Sequence, residues 1–133
     1  MPLVHHQQCF GCGRTNLFGL MLEIERAEDG SVAGRCFIKQ DHRGAVPGYA
    51  HDGIVGTALG EAMSLACGPE TLAQAVTVGY IGAAAVGEFL YVEAQVEKDA
   101  DGIVTATAKA TSSAGAGGDV VAKARGTYSS AGG

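Results

Sequence analysis

The chain has 133 residues, 47% of them hydrophobic and 17% charged, with a net charge of -5 and a pI of about 5.2. That length suits one domain with a core of its own, and the acidic balance argues against nucleic acid or an anionic membrane surface as the main partner, because both demand a basic footprint. The uncharged run from Thr71 to Gly87 is interrupted by Gly79 and Gly82 and is short for a membrane span, so no membrane partner is expected.

Residues 1–18 contain His5-His6 and Cys9-Phe10-Gly11-Cys12-Gly13, a polar opening broken by glycine and without a clear period, and are expected to form loop or short turns. From Gly19 to Arg26, Leu20, Leu22 and Ile24 alternate with polar residues, the pattern of a half-buried strand. Glu28-Asp29-Gly30 is a turn signal, and Ser31 to Lys39 continues as a second strand of a hairpin. Gln40 to Ala50, with Pro47 and Gly48, is a loop leading into a helix.

The helix, Gly53 to Cys67, is apolar on every side of its projection, which marks a buried one. Asp52 is its expected N-cap and Gly68-Pro69 its stop. Gly53, Gly56 and Gly60 form one stripe of missing side chains, a sign of close packing. Glu61 is the only carboxylate between the caps, and a buried acid requires a partner or a purpose.

Four strands follow the helix. Gln74 to Ala83 is rich in β-branched residues; Phe89 to Lys98 alternates with Leu90, Val92, Ala94 and Val96 on one face. A four-residue loop, Asp99 to Gly102, leads to Ile103 to Ser112, and a turn at Gly115 to Gly118 leads to Val120 to Tyr128. The order calls for an α+β domain over residues 19–128, an antiparallel sheet wrapped around one helix, with a flexible tail at 129–133. A single sheet leaves an edge strand, for which self-association is the natural cover.

This order, with His51-Asp52-Gly53 entering the helix and an acid late in it, resembles the hotdog-fold thioesterases, in particular the branch similar to the phenylacetate-pathway PaaI group. Cys9 to Gly13 matches that branch's CFxCG opening, and Asn16 to Leu20 the step after it. Pro47-Gly48, His51-Asp52-Gly53, Gly60-Glu61-Ala62-Met63 and Val86-Gly87-Glu88 match its later motifs. The resemblance implies hydrolysis of an acyl thioester, usually acyl-coenzyme A, at a site between two subunits of a dimer or dimer of dimers; the cytoplasmic location expected of the chain rests instead on the lack of an export signal and of a spanning segment. A backbone N–H at the helix start polarises the carbonyl, a carboxylate acts as nucleophile or base, and the histidine positions the substrate.

Carried onto this chain, the catalytic residues are Glu61 and His51, with Asp52, Gly53, Thr57 and Arg43 at the substrate. Two positions depart from the pattern: Asp52 stands where the family has glycine, and Gly60 where it has the acid. The alternative is therefore a non-catalytic protein that binds acyl thioesters or small ligands and has lost that acid. Thr57 either holds a water for Glu61 or bonds to its own helix, the commoner case. Lys39 and Arg43 lie near the helix entrance, either solvated or facing a coenzyme A phosphate. No cofactor and no metal is assigned. The one four-ligand grouping, His5, His6, Cys9 and Cys12, is a weak zinc signal because adjacent histidines rarely reach one ion. Without an export signal the four cysteines read as free thiols, Cys36 and Cys67 being core residues.

Overall fold

The structure is a computed structural model that describes residues 2–68, 70–113 and 118–130. Six strands, β1 (Glu23–Arg26), β2 (Val32–Phe37), β3 (Thr71–Tyr80), β4 (Phe89–Ala100), β5 (Ile103–Thr111) and β6 (Val120–Ser130), form one sheet around α1 (Asp52–Cys67). The sheet order is β1-β2-β4-β5-β6-β3, with every neighbouring pair antiparallel. The expected hotdog architecture is present. No described helix is long and apolar enough to cross a membrane.

Alternation builds the core. Leu90, Val92 and Ala94 of β4, Ala106, Ala108 and Ala110 of β5, and Ala122 and Ala124 of β6 are buried toward the helix, while Lys123 and Arg125 are exposed. These small side chains let α1 lie close to the sheet, where Leu59, Ala62 and Met63 have no exposure. Val96 breaks the pattern: it is 41% exposed, next to a register shift between Val96 and Lys98. The β4–β5 loop is two residues, Asp101 and Gly102, rather than four. Both have positive φ, 57° and 77°, the backbone of a tight hairpin turn that suits an Asp-Gly pair.

Strands β1, β3 and β6 differ from the expected bounds. The first strand begins at Glu23 because the backbone of residues 19–22 bonds to the N-terminal segment instead: Leu20 N–H donates to Phe10 C=O and Leu22 N–H to Gly11 C=O. Leu20 and Leu22 remain buried there. Strand β3 starts at Thr71, three residues early, and stops at Tyr80. Strand β6 runs to Ser130, pairing Ser129 and Ser130, expected in the tail, with Leu72 and Thr71. The rest of that tail, Pro69 of the helix stop, and most of the turn expected at 115–118 lie outside the described residues.

The N-cap of α1 is His51 and not Asp52, because the His51 Nδ1 accepts from Gly53 N–H at 2.8 Å; Asp52 is the first helical residue. The helix has no base in its last turn, so its terminal carbonyls draw on another element. Arg26 of β1 donates to Leu65 C=O at 2.7 Å and to Ala66 C=O at 3.5 Å, the contact a helix C-terminus favours. Arg26→Met keeps the aliphatic stem and removes the donors. It is expected to cost about 1 kcal/mol, read as a lower denaturant midpoint at unchanged slope; an unchanged midpoint would refute this account of the cap.

Candidate functional site

The middle and the start of α1 present different chemistry. At the start, His51 and Asp52 are exposed. Because the His51 Nδ1 accepts from Gly53 N–H, the neutral ring carries its proton on Nε2, as a donor beside the positive end of the helix. The His51 backbone N–H donates to His42 C=O at 2.8 Å, which fixes the entry of the chain. Thr57 donates to Gly53 C=O at 2.7 Å, so its hydroxyl proton is committed to its own helix. Arg43 is exposed just before the entrance and pairs by its backbone with Ala50. Lys39 is neither merely solvated nor free for a phosphate: its ammonium donates to Leu17 and Gly19 C=O, both at 3.0 Å.

The glycine stripe faces two tyrosines. A Cβ at Gly56 would lie 3.0 Å from the Tyr80 hydroxyl, and one at Gly60 would lie 3.9 Å from the Tyr128 hydroxyl. Tyr80 donates to Asp52 C=O at 2.8 Å and Tyr128 to Gly60 C=O at 2.9 Å. The missing side chain at Gly56 thus admits the Tyr80 hydroxyl onto the helix backbone, whereas Gly60 leaves space beside the Tyr128 hydroxyl.

Glu61 lies on another face and meets the N-terminal segment. Its Oε2 is 2.9 Å from His5 Nδ1 and accepts from the Cys9 thiol at 3.1 Å. His5 Nδ1 is also 3.6 Å from Cys9 Sγ and 3.5 Å from Cys12 Sγ. One donor atom from each of His5, Cys9, Cys12 and Glu61 lies within 4.8 Å of all the others. His6, expected among the candidate ligands, is exposed outside this cluster and accepts from Gln8 N–H.

Burial pushes the Glu61 carboxyl up, but hydrogen bonds with His5, Cys12 and Cys9 outweigh it and hold the group below the usual range. Cys12, fully buried, is pushed far up by that burial and by the carboxylate. Of the other two thiols Cys36 is a core residue, whereas Cys67, also expected there, is half-buried against the core: burial pushes Cys36 up to about 12, and burial with the Asp99 charge pushes Cys67 up to about 11.

The same histidine reaches Ser64, whose Oγ is 2.9 Å from His5 Nε2. Hydroxyl, imidazole and carboxylate in a line can activate a nucleophile, but Ser64 is 8% exposed and its Oγ also sits 3.3 Å from the Thr71 hydroxyl. A buried Ser64 orients the ring and does not meet a substrate. Sequence reasoning paired Cys9 and Cys12 with the wrong second histidine and missed Glu61 as their partner. The available signal was an unexplained buried acid beside an unexplained CxxC.

Two clefts open on the outer face of the sheet, one bordered by Thr77, Glu93, Lys109 and Arg125 and the other by Arg35 and Tyr91; neither includes His51 or Glu61.

Solved structures share this architecture. A thioesterase superfamily protein matches with a TM-score of 0.82 and 18% identity over 92% of this chain, which spans 63% of that protein's length. The E. coli PaaI protein from the phenylacetic acid degradation operon matches with a TM-score of 0.73 and 18% identity, covering 84% of this chain and 80% of that one. A hypothetical thioesterase protein from Streptococcus pneumoniae TIGR4, solved with coenzyme A, gives 0.71 and 19%, covering 82% and 84%. At these identities the finding is a common hotdog fold. No protein-family profile matches the sequence, and no curated protein matches it.

Gly11 is what lets Glu61 sit among the cysteines. A Cβ there would fall 2.4 Å from Glu61 Cδ and 2.7 Å from its Oε2. Gly11→Ala is expected to cost about 1–3 kcal/mol, as overpacking does, measured by thermal unfolding; wild-type stability in that variant would mean that the carboxylate is not confined there.

Proposed function

We propose that the protein binds acyl thioesters of the acyl-coenzyme A kind at the start of α1 and hydrolyses them, in a site completed by a second copy of the chain. The observation that carries this reading is the capping of α1 by His51. It leaves an imidazole N–H on an exposed ring at the positive end of a helix, a place suited to a carbonyl on which negative charge develops. The hotdog fold shared with thioesterases, one solved with coenzyme A, supports the substrate class.

In this reading His51 donates to the thioester carbonyl through Nε2, and Gly53 gives the backbone room to approach. Arg43 meets a coenzyme A phosphate from beside the entrance. Asp52 favours the helix start but repels a developing oxyanion, so the carbonyl lies on the His51 side of the first turn. Thr57, its proton committed to Gly53, can only accept from a water.

Glu61 acts as a general base only if it leaves His5 and Cys9, two partners that hold it ionised. No carboxylate stands on the stripe of Gly53, Gly56 and Gly60, and that observation favours the second reading, a protein that binds acyl thioesters without turning them over. Gly60 has space for a side chain, the nearest atom to an added Cβ being the Tyr128 hydroxyl at 3.9 Å.

Assaying wild type, His51→Ala and Gly60→Asp on acyl-coenzyme A substrates with short, long and aromatic acyl groups separates the readings. Hydrolysis by wild type, with kcat/KM at least about tenfold lower in His51→Ala, as loss of one carbonyl donor implies, supports the first. Binding without turnover, together with activity gained in Gly60→Asp, supports the second. Neither binding nor turnover of any member would overturn both.

The second copy is expected along β3. That strand is an edge of the sheet, and Leu72 (62%), Val76 (40%), Tyr80 and Ile81 on or beside it are exposed. Tyr80 also bonds to Asp52, so a partner on this edge sits beside the α1 entrance. Analytical ultracentrifugation should give twice the 13.4 kDa chain mass, or four times it for a dimer of dimers, and Leu72→Lys with Val76→Lys should shift it toward the monomer. A monomeric wild type at micromolar concentration would contradict a shared site.

A further inference from the structure

We propose that His5 Nδ1, Cys9 Sγ, Cys12 Sγ and one carboxylate oxygen of Glu61 bind a single Zn2+ ion that fastens the N-terminal segment to the middle of α1. The inference is independent of the acyl-thioester reading, since it uses neither the start of the helix nor β3.

The geometry is that of a four-ligand centre. Zinc bonds of about 2.3 Å to sulfur and about 2.0–2.2 Å to nitrogen or oxygen place the corners of a tetrahedron about 3.3–3.8 Å apart. The His5 Nδ1 lies 3.6 and 3.5 Å from the two sulfurs, and Glu61 Oε2 lies 2.9 Å from Nδ1 and 3.1 Å from Cys9 Sγ. The two measured edges to the carboxylate are shorter than this, and all four donor atoms lie within 4.8 Å of one another. Cys9 and Cys12 also have the two-residue spacing common to structural zinc sites.

The loop is shaped to converge these atoms. Gly13 N–H donates to Cys9 C=O at 2.9 Å, and a Cβ on Gly13 would strike Gln7 O and Cys9 N at 2.4 and 2.5 Å. Gly11 has the same constraint against Glu61. Two glycines in a five-residue motif are thus explained by the turn that brings both thiols to one carboxylate.

The groups around the ligands complete the argument. Ser64 faces His5 Nε2 at 2.9 Å, so the ring can donate there and turn the Nδ1 lone pair toward the sulfurs. The His5 backbone N–H donates to Cys12 Sγ at 3.1 Å, a bond that suits a thiolate. With the ion bound in that tautomer, the Nδ1 lone pair, the carboxylate and the two sulfurs all face the cation, which takes the place of the His5 and Cys9 protons that meet Glu61 in the metal-free chain. Two thiolates, one imidazole and one carboxylate select zinc over magnesium or calcium, which take oxygen ligands.

Loading releases one proton from each thiol to solvent. Two thiolates, one carboxylate and the ion then leave a net charge of minus one, which the His5 N–H helps to satisfy. Four protein ligands fill the coordination shell, so the ion is structural. What it holds is a segment whose only described strand pairing is one bridge, Leu3 to Ile24. His5 and Glu61 are 14% and 13% exposed, which leaves the ion a short path from solvent.

The test is metal analysis of the full chain, purified under reducing conditions from zinc-supplemented cells. Expected are about one zinc per chain, its loss in Cys9→Ser and Cys12→Ser, reduced occupancy in Glu61→Gln, and full occupancy in His6→Ala. Chelation should lower the melting temperature of wild type by several degrees. Because the cysteine variants can fail to fold, wild type is also loaded with Co2+, which should give thiolate charge-transfer bands and the intense visible bands of a tetrahedral site. Zinc-free wild type with no cobalt spectrum would overturn the proposal. So would a Cys9–Cys12 disulfide persisting under those conditions, or zinc kept by Glu61→Gln and lost by His6→Ala.

Discussion

A helix packed inside a curved sheet has no water to satisfy its polar groups, and much of what is distinctive in this molecule answers that constraint. Half of α1 is buried, including Ser64, and its Glu61 carboxylate has little exposure. Thr57 bonds to its own helix, but other polar groups of α1 are met from different parts of the chain: Glu61 by His5 and Cys9, the last carbonyls by Arg26, and Asp52 and Gly60 C=O by Tyr80 and Tyr128. An unpartnered charge or amide in this position costs several kcal/mol, more than a sizeable part of a small domain's net stability. The helix is therefore where the distant segments are tied together.

That arrangement divides the helix by function. Its start is exposed, capped by an imidazole and bordered by an edge strand, which is why we propose a ligand and a second protomer there. Its middle is closed by the N-terminal segment, whose His5, Cys9 and Cys12 surround Glu61. The acid that seemed the natural base for hydrolysis lies in the closed part. A carboxylate held below its usual range by hydrogen bonds is a poor base and a good ligand.

Much of the architecture was legible in the sequence because it rests on local periodicity. Two-residue alternation in β4, β5 and β6 identified the inward alanines and Val92, though it also placed the exposed Val96 inward, and the all-apolar segment before Gly68 identified the central helix. The errors fell where a backbone is governed by distant partners. Residues 19–22 alternate like a strand yet bond to Phe10 and Gly11, and β3 was misplaced because, as an edge exposed over much of its length, it shows no alternation of burial. His51 displaced Asp52 as the cap because an imidazole nitrogen reached the same N–H.

The sequence by itself determined the strand and helix order, the inward faces of β4, β5 and β6, and the presence of one acid that burial makes expensive. Those features depend on spacing along the chain. Only the tertiary structure decided what that acid touches, since His5 lies 56 residues away and Cys9 lies 52. Loop closure over such separations depends on how the whole sheet wraps the helix and leaves no periodic trace. For the same reason, two motifs that looked unrelated, a CxxC near the start and a glutamate in mid-helix, turn out to be parts of one site.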